Sequence, residues 1–133
     1  MNNRVLQLRL VVEAADFDEA VAFYRDTLGL PVELDLESEG GAHVMILEAG
    51  RATLELSNPA QVAYIDEIEV GRRVAPKMRV AFEVADTTSV TDELTAGGAE
   101  LIAPPTRTPW DSINARLSAP ADLQITVFEE RAV

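Results

Sequence analysis

Two near copies of one stretch, one in each half of the chain, constrain the fold more than any other feature of the sequence. Arg9-Leu10-Val11-Val12-Glu13-Ala14-Ala15-Asp16 and Arg79-Val80-Ala81-Phe82-Glu83-Val84-Ala85-Asp86 carry Arg, Glu and Asp at the same places, with apolar or small residues between them. Each reads as a strand that runs into an Asp, and each Asp is followed by a helix-like segment. An internal repeat at half the chain length points to a duplicated module. A solenoid would need three or more short units.

The first module spans about residues 4–58. Val5 to Glu13 alternates, with Leu6, Leu8, Leu10 and Val12 on one face, and a period of two predicts a strand. Asp16 is placed as an N-cap with Glu19 at the capping-box position. Phe17, Ala20, Val21, Tyr24 and Leu28 then form one apolar helical stripe, and Gly29 fits the stop. Pro31 to Glu37 alternates again, Ser38 to Gly41 is a turn, and Ala42 to Glu48 with Ala52 to Ser57 predicts a hairpin. The order is therefore β-α-β-β-β.

Residues 59–76, bracketed by Pro59 and Pro76, read as a connection with room for one short helix. The second module, about 77–130, repeats the order. Lys77 to Ala85 is the strand and Asp86 the cap. Val90 and Leu94 mark a helix face that Gly97-Gly98 ends. Glu100 to Ala103 is a short strand, and Ser112 to Leu117 with Leu123 to Phe128 form the last hairpin around Ala119-Pro120-Ala121-Asp122. Both modules fit one domain of 133 residues, a length that can bury a real core.

Charge and composition exclude several functions. A net charge of −12 repels nucleic acid and anionic membrane surfaces. The absence of cysteine removes disulfides, thiol catalysis and thiolate metal sites. No apolar run approaches the roughly 20 residues of a membrane span. Met1-Asn2-Asn3-Arg4 leads into a strand pattern without a signal-peptide core, so a cytoplasmic location is expected. His43 is the single histidine, which narrows the options for acid–base chemistry.

The duplicated β-α-β-β-β order resembles the vicinal oxygen chelate superfamily, which holds glyoxalase I, extradiol dioxygenases, fosfomycin-resistance enzymes and bleomycin-resistance proteins. Asp16-Phe17-Asp18-Glu19-Ala20-Val21-Ala22-Phe23-Tyr24-Arg25-Asp26-Thr27-Leu28-Gly29-Leu30 resembles its opening signature. Ala96-Gly97-Gly98-Ala99-Glu100 resembles the end of its second helix, and Pro109-Trp110 the entry to its last strands. The resemblance implies an α+β fold in which two βαβββ modules form a curved, cup-shaped mixed eight-stranded sheet with helices outside.

Metal ligands in that family come from the first and last strands of each module. Those positions fall here on Arg9, Glu55, Arg79 and Thr126. Arginine stays protonated and is not a ligand, and a neutral Thr hydroxyl is a poor one. Glu55 alone cannot complete a site. No metal and no cofactor is therefore expected. The last hairpin also lacks the family's common DPDGN turn.

Strand alternation puts Arg9, Arg79 and Glu55 on the inward face. They form either an anion site or a self-satisfied Arg–Glu–Arg cluster, or the arginines snorkel outward. His43 is a candidate general base, weighed against a packing role on a strand edge. Glu55 is a second candidate base, although two neighbouring arginines would lower its pKa. Trp110, Phe128, Tyr64 and Met45 can line an aromatic pocket or serve ordinary core or dimer packing. Glu13 and Glu83 read as solvated strand ends, and Arg72-Arg73 as surface.

The expected function is a metal-independent small-molecule-binding protein, with an anionic or aromatic ligand, working as a homodimer in the style of bleomycin-resistance proteins. No nucleic-acid or membrane partner is expected. The alternative is a lyase, isomerase or dioxygenase of the superfamily's kind with a displaced metal site. An interaction module is a third reading.

Overall fold

The structure, a computed structural model, describes residues 7, 9–53, 55 and 57–130. In chain order it contains α1 (Phe17–Val21), which widens into a π-helical turn (Ala22–Thr27), then β1 (Val32–Glu37), a 3-10 turn (Glu39–Gly41) and β2 (His43–Leu47). There follow α2 (Pro59–Glu69), β3 (Val80–Glu83), α3 (Thr87–Ala96), β4 (Glu100–Arg107), β5 (Ser112–Ala119) and β6 (Leu123–Glu130). Among the described residues, no helix is long and apolar enough to cross a membrane.

The helices start where their caps dictate. Asp16 accepts from the Glu19 amide at 3.0 Å, and Asp86 accepts from the Ser89 amide at 3.2 Å. Asn58 caps α2 by accepting from the Gln61 amide at 2.9 Å, with Pro59 in the first turn, where its missing N–H costs nothing. α3 ends at Gly97, and Gly98 turns the chain with φ 116°.

The segment after Asp16 is not one uniform α-helix. From Ala22 the turn widens, and the Leu28 amide donates to the Phe23 carbonyl at 2.8 Å. A wider turn brings successive side chains closer in direction. Phe23 is consequently buried while Tyr24 packs edge-on against it, centroids 4.9 Å apart. The Tyr24 hydroxyl donates to the Pro120 carbonyl at 2.9 Å, and burial pushes its pKa up to about 12. It is a neutral donor that ties this helix to the last hairpin.

The second module forms a four-stranded sheet in the order β3-β6-β5-β4, with β3 parallel to β6 and the other pairs antiparallel. Alternation divides β5 and β6 between two faces. Ala115, Leu117, Ala119, Ile125 and Val127 join Leu94 of α3 and Phe23 to make the core. Full burial of each large side chain there contributes roughly 1.5–3 kcal/mol. The opposite face carries Ser112, Asn114, Arg116 and Thr126, which are also buried. Pro104 and Pro105 lie within β4, where the register shifts, and β4 is an edge strand that tolerates missing donors.

The first module differs from the sequence expectation. The described residues form six strands, in one two-stranded and one four-stranded sheet, and no closed eight-stranded cup. Of the expected strand at 5–13, residues 7 and 9–13 are described and are not in a strand; of that at 52–57, the same holds for 52, 53, 55 and 57. Residues 5, 6, 8, 54 and 56 lie outside the described residues. Alternation makes a segment amphipathic, but a strand needs an edge to pair with. Among the described residues β1 and β2 pair only with each other, and Val32, Leu34 and Leu36 are exposed.

Candidate functional site

The polar face of the four-stranded sheet concentrates the charged side chains of the molecule's interior. Thr126 is the direct cross-strand partner of Arg116 on β5 and of Ala81 on β3. The Arg79 guanidinium, just before β3, donates from Nη1 to Thr126 Oγ1 at 2.5 Å. Two guanidinium groups thus flank one threonine across three adjacent strands.

Arg116 is fully buried beneath α2. Its Nη1 donates to Asp66 Oδ1 at 2.8 Å and to Gln124 Oε1 at 2.9 Å, and its Nη2 donates to Glu69 Oε1 at 2.8 Å. Glu69 Oε2 accepts from Asn114 Nδ2 at 2.7 Å, and Asn114 Oδ1 accepts from the Ser112 hydroxyl at 2.7 Å. Asp66 and Glu69 can share Arg116 because positions three apart lie on one helix face.

Asp66 is satisfied further by its own neighbourhood. Its Oδ2 accepts from Arg73 Nη1 at 3.0 Å and from the amides of Val74 and Ala75 at 2.8 and 2.9 Å. Burial alone would push its pKa up. The Ala75 amide, the Arg116 guanidinium and the Val74 amide outweigh burial and hold it at about 2.

Arg79 is part-buried and differently placed. Burial, then the charge of Arg116, pull its pKa below the usual arginine range, while Glu69, Glu55 and Asp66 oppose this. It remains a cation. Among the described residues it forms no ion pair with a carboxylate, and its side-chain donor reaches a hydroxyl. It also lines a cleft of about 270 Å³ between residues 10–13 and residues 78–80 and 121–123.

The structure brings some of the residues expected at the site together and separates others. Arg79 and Thr126 are in contact. Glu55 influences Arg79 through its charge, while its Oε2 accepts from the Ser57 hydroxyl at 3.3 Å. Arg9 is turned elsewhere, donating to Gln7 Oε1 at 3.0 Å and pairing with Glu33 at 3.7 Å. His43 lies on the two-stranded sheet, with Nε2 2.6 Å from Asp35 Oδ1 and its ring 4.5 Å from that of Phe17. Trp110 sits half-exposed at the turn between β4 and β5, its ring 6.4 Å from that of Tyr64 on α2. Phe128 is partly buried on β6, opposite Asn114.

These side chains do not fit a divalent cation. Guanidinium groups stand at two of the four positions where the resembled family places ligands, and a hydroxyl stands at a third. Among the described residues no three His, Asp or Glu side chains are grouped to hold a metal.

Sequence reasoning missed Arg116, Asp66, Glu69 and Asn114. A signal was present: Ser112, Asn114 and Arg116 alternate with apolar residues along one strand, and Asp66 and Glu69 are spaced for one helix face. Neither pattern says that these two faces meet.

Comparison with known proteins adds the following. A sequence model described as the Glyoxalase/Bleomycin resistance protein/Dioxygenase superfamily matches residues 7–127. No curated protein sequence matches the chain. Among solved structures, a glyoxalase family protein from Bacillus cereus is similar with a TM-score of 0.62 and 17% identity, covering 98% of this chain and 97% of that one. A protein of unknown function from Agrobacterium tumefaciens str. C58 has a TM-score of 0.57 and 25% identity, covering 97% and 99%. A lactoylglutathione lyase from Agrobacterium tumefaciens has a TM-score of 0.57 and 24% identity, covering 96% of each chain. The likenesses at 17% and 24% identity concern the fold alone.

Proposed function

This chain belongs to the Glyoxalase/Bleomycin resistance protein/Dioxygenase superfamily, and we propose that it is a small-molecule-binding protein that takes an anionic ligand at Arg79 without a divalent metal. The observation that carries this reading is the state of Arg79. A part-buried cation is costly unless it is paired, and this one is met by the Thr126 hydroxyl and by no ion-paired carboxylate among the described residues. A ligand carboxylate or phosphate supplies the missing charge with geometry that a guanidinium fork matches. Phe128, on the same face of β6 as Thr126, offers aromatic surface to the remainder of such a ligand. His43, paired with Asp35, lies on the two-stranded sheet and not on the sheet that carries Thr126 and Arg116.

The same reading includes a homodimer that completes the cup. Val32, Leu34 and Leu36 on β1 are 43–51% exposed, and Leu10 and Val11 are exposed as well. A two-stranded hairpin is marginal by itself. A second copy of the chain would bury this apolar face and give residues 9–13 and 52–57 edges to pair with.

The test is a thermal-shift series with inorganic phosphate and benzoate on wild type and Arg79→Met, beside metal analysis of protein purified without nickel. The expected result is stabilisation of wild type that the variant loses. Stabilisation that survives in Arg79→Met, or the absence of any shift, would overturn the anion site. About one divalent ion per chain would overturn the metal-free reading.

A further inference from the structure

We propose that α2 is an autoinhibitory latch whose Asp66 and Glu69 carboxylates occupy Arg116 in place of an anionic ligand, and that Arg116 is the second guanidinium of the anion site. This rests on the reading of Arg79 given above. The first ground is that the most deeply seated side chains of α2 are charged. Its buried side chains are Asp66 and Glu69, while Val62, Ile65 and Ile68 are only partly buried and Tyr64 is exposed. Among the described residues, the hydrogen bonds that tie α2 and the turn after it to the sheet run through Arg116, Asn114 and Gln124.

The second ground is that Asp66 is satisfied without the sheet, whereas Glu69, held by Arg116 and Asn114, would pass to water. Asp66 keeps three donors from its own segment, Arg73 and the amides of Val74 and Ala75. On leaving the sheet it therefore remains hydrogen-bonded, and Arg73 remains as its counter-ion. Asn58-Pro59 bounds α2 at one end and Gly71, with φ 88°, bounds it at the other.

The third ground is what the latch leaves unmade. Arg116 Nε is buried and has no hydrogen-bond partner among the described residues. Asp66 and Glu69 each take one terminal nitrogen, so neither carboxylate uses the Nε edge in a bidentate grip. A carboxylate or phosphate that engages this edge gains a hydrogen bond that the latch does not make. With α2 displaced, Arg116, Thr126 and Arg79 stand contiguous on one face, and the two cations are already close enough for Arg116 to lower the pKa of Arg79. Ligand binding and α2 docking then compete for the same guanidinium.

Inorganic phosphate serves as the probe. Wild type and Glu69→Gln, which keeps the side-chain shape, are titrated by calorimetry, with near-ultraviolet circular dichroism to check folding. Amide hydrogen exchange over residues 59–70 is followed in wild type with and without phosphate. The latch predicts about tenfold tighter binding by Glu69→Gln and faster exchange in α2 when phosphate is bound. Wild-type binding with equal affinity in the variant would overturn the latch and leave the anion site standing. Slower or unchanged exchange with phosphate bound would overturn it even if the variant fails to fold. No phosphate binding by either protein would overturn both the latch and the anion site.

Discussion

Arg116 and Asp66 are 50 residues apart in the chain and 2.8 Å apart in space, and neither is more than 1% exposed. One comes from β5, an interior strand of the four-stranded sheet, the other from the connection between the two modules. Their pairing explains why that connection is held on the sheet at all. Taking two charges out of water is costly, and the cost is recovered only when almost every donor and acceptor is satisfied. Gln124, Glu69, Asn114 and the amides after Arg73 perform that task here.

Removing one partner should therefore cost far more than removing a solvent-facing one. Asp66→Ala leaves Arg116 short of a carboxylate and strands the Val74 and Ala75 amides. We expect a loss of about 3–5 kcal/mol in urea unfolding. Arg73→Ala removes a guanidinium whose side chain is 54% exposed, and should cost about 0–1 kcal/mol. Equal losses in the two variants would show that Asp66 is solvated.

The same pair sets an acid limb of stability. The folded-state pKa of Asp66 is held down at about 2, against an ordinary value of 3.8. A lowered carboxylate pKa contributes stability that is fully present above about pH 4 and is lost as pH falls towards 2. The contribution is about 2 kcal/mol. Urea midpoints measured between pH 2 and 5 should fall for wild type with decreasing pH, and Asp66→Asn should flatten that part of the curve. An unchanged slope in the variant would assign the acid limb to other carboxylates.

Several elements were legible in the sequence because they are decided within a few residues. Asp16, Asp86, Gly29 and Gly97 mark helix ends by local chemistry, and the structure uses them there. The strands at 5–13 and 52–57 had equally clear alternation, yet their described residues are not in strands. Whether an alternating segment pairs is decided by a distant edge, which periodicity does not contain. At the site, the family resemblance pointed to Arg79 and Thr126 among its four positions, and these two touch. It could not point to Arg116, because the carboxylates it meets lie outside the repeated module.

Packing between the two halves gives a further test at Gly97. Its φ suits any residue, but an added Cβ would stand 2.5 Å from Thr27 Cγ2 and 3.0 Å from Thr27 Oγ1. Thr27 closes the π-helical turn, so the contact joins the end of α3 to the first helix. Gly97→Ala should cost about 1–3 kcal/mol through overpacking. Thr27→Ala removes both crowding atoms, so the double variant should recover most of the loss that Gly97→Ala causes alone. A double-mutant cycle in urea measures this, and strict additivity would mean that the two residues do not touch.

The last hairpin carries backbone strain that a single change should relieve. Ala121 and Asp122 both have left-handed backbones, with φ 66° and 56°, in the turn that joins β5 to β6. For a residue with a Cβ this conformation costs roughly 1–2 kcal/mol, and glycine avoids most of it while losing some chain entropy. The turn persists because both flanking strands are paired through Ala119 and Leu123, and because Tyr24 holds the Pro120 carbonyl. Ala121→Gly should consequently stabilise the protein by about 0.5–1 kcal/mol and raise the thermal midpoint by roughly 2–6 °C. Tyr24→Phe, which removes the hydroxyl that holds Pro120, should cost about 1 kcal/mol. If the strain resides in the turn itself, glycine should recover a similar amount in either background. A midpoint lowered by Ala121→Gly would mean that the left-handed pair is favoured by contacts of the alanine methyl group.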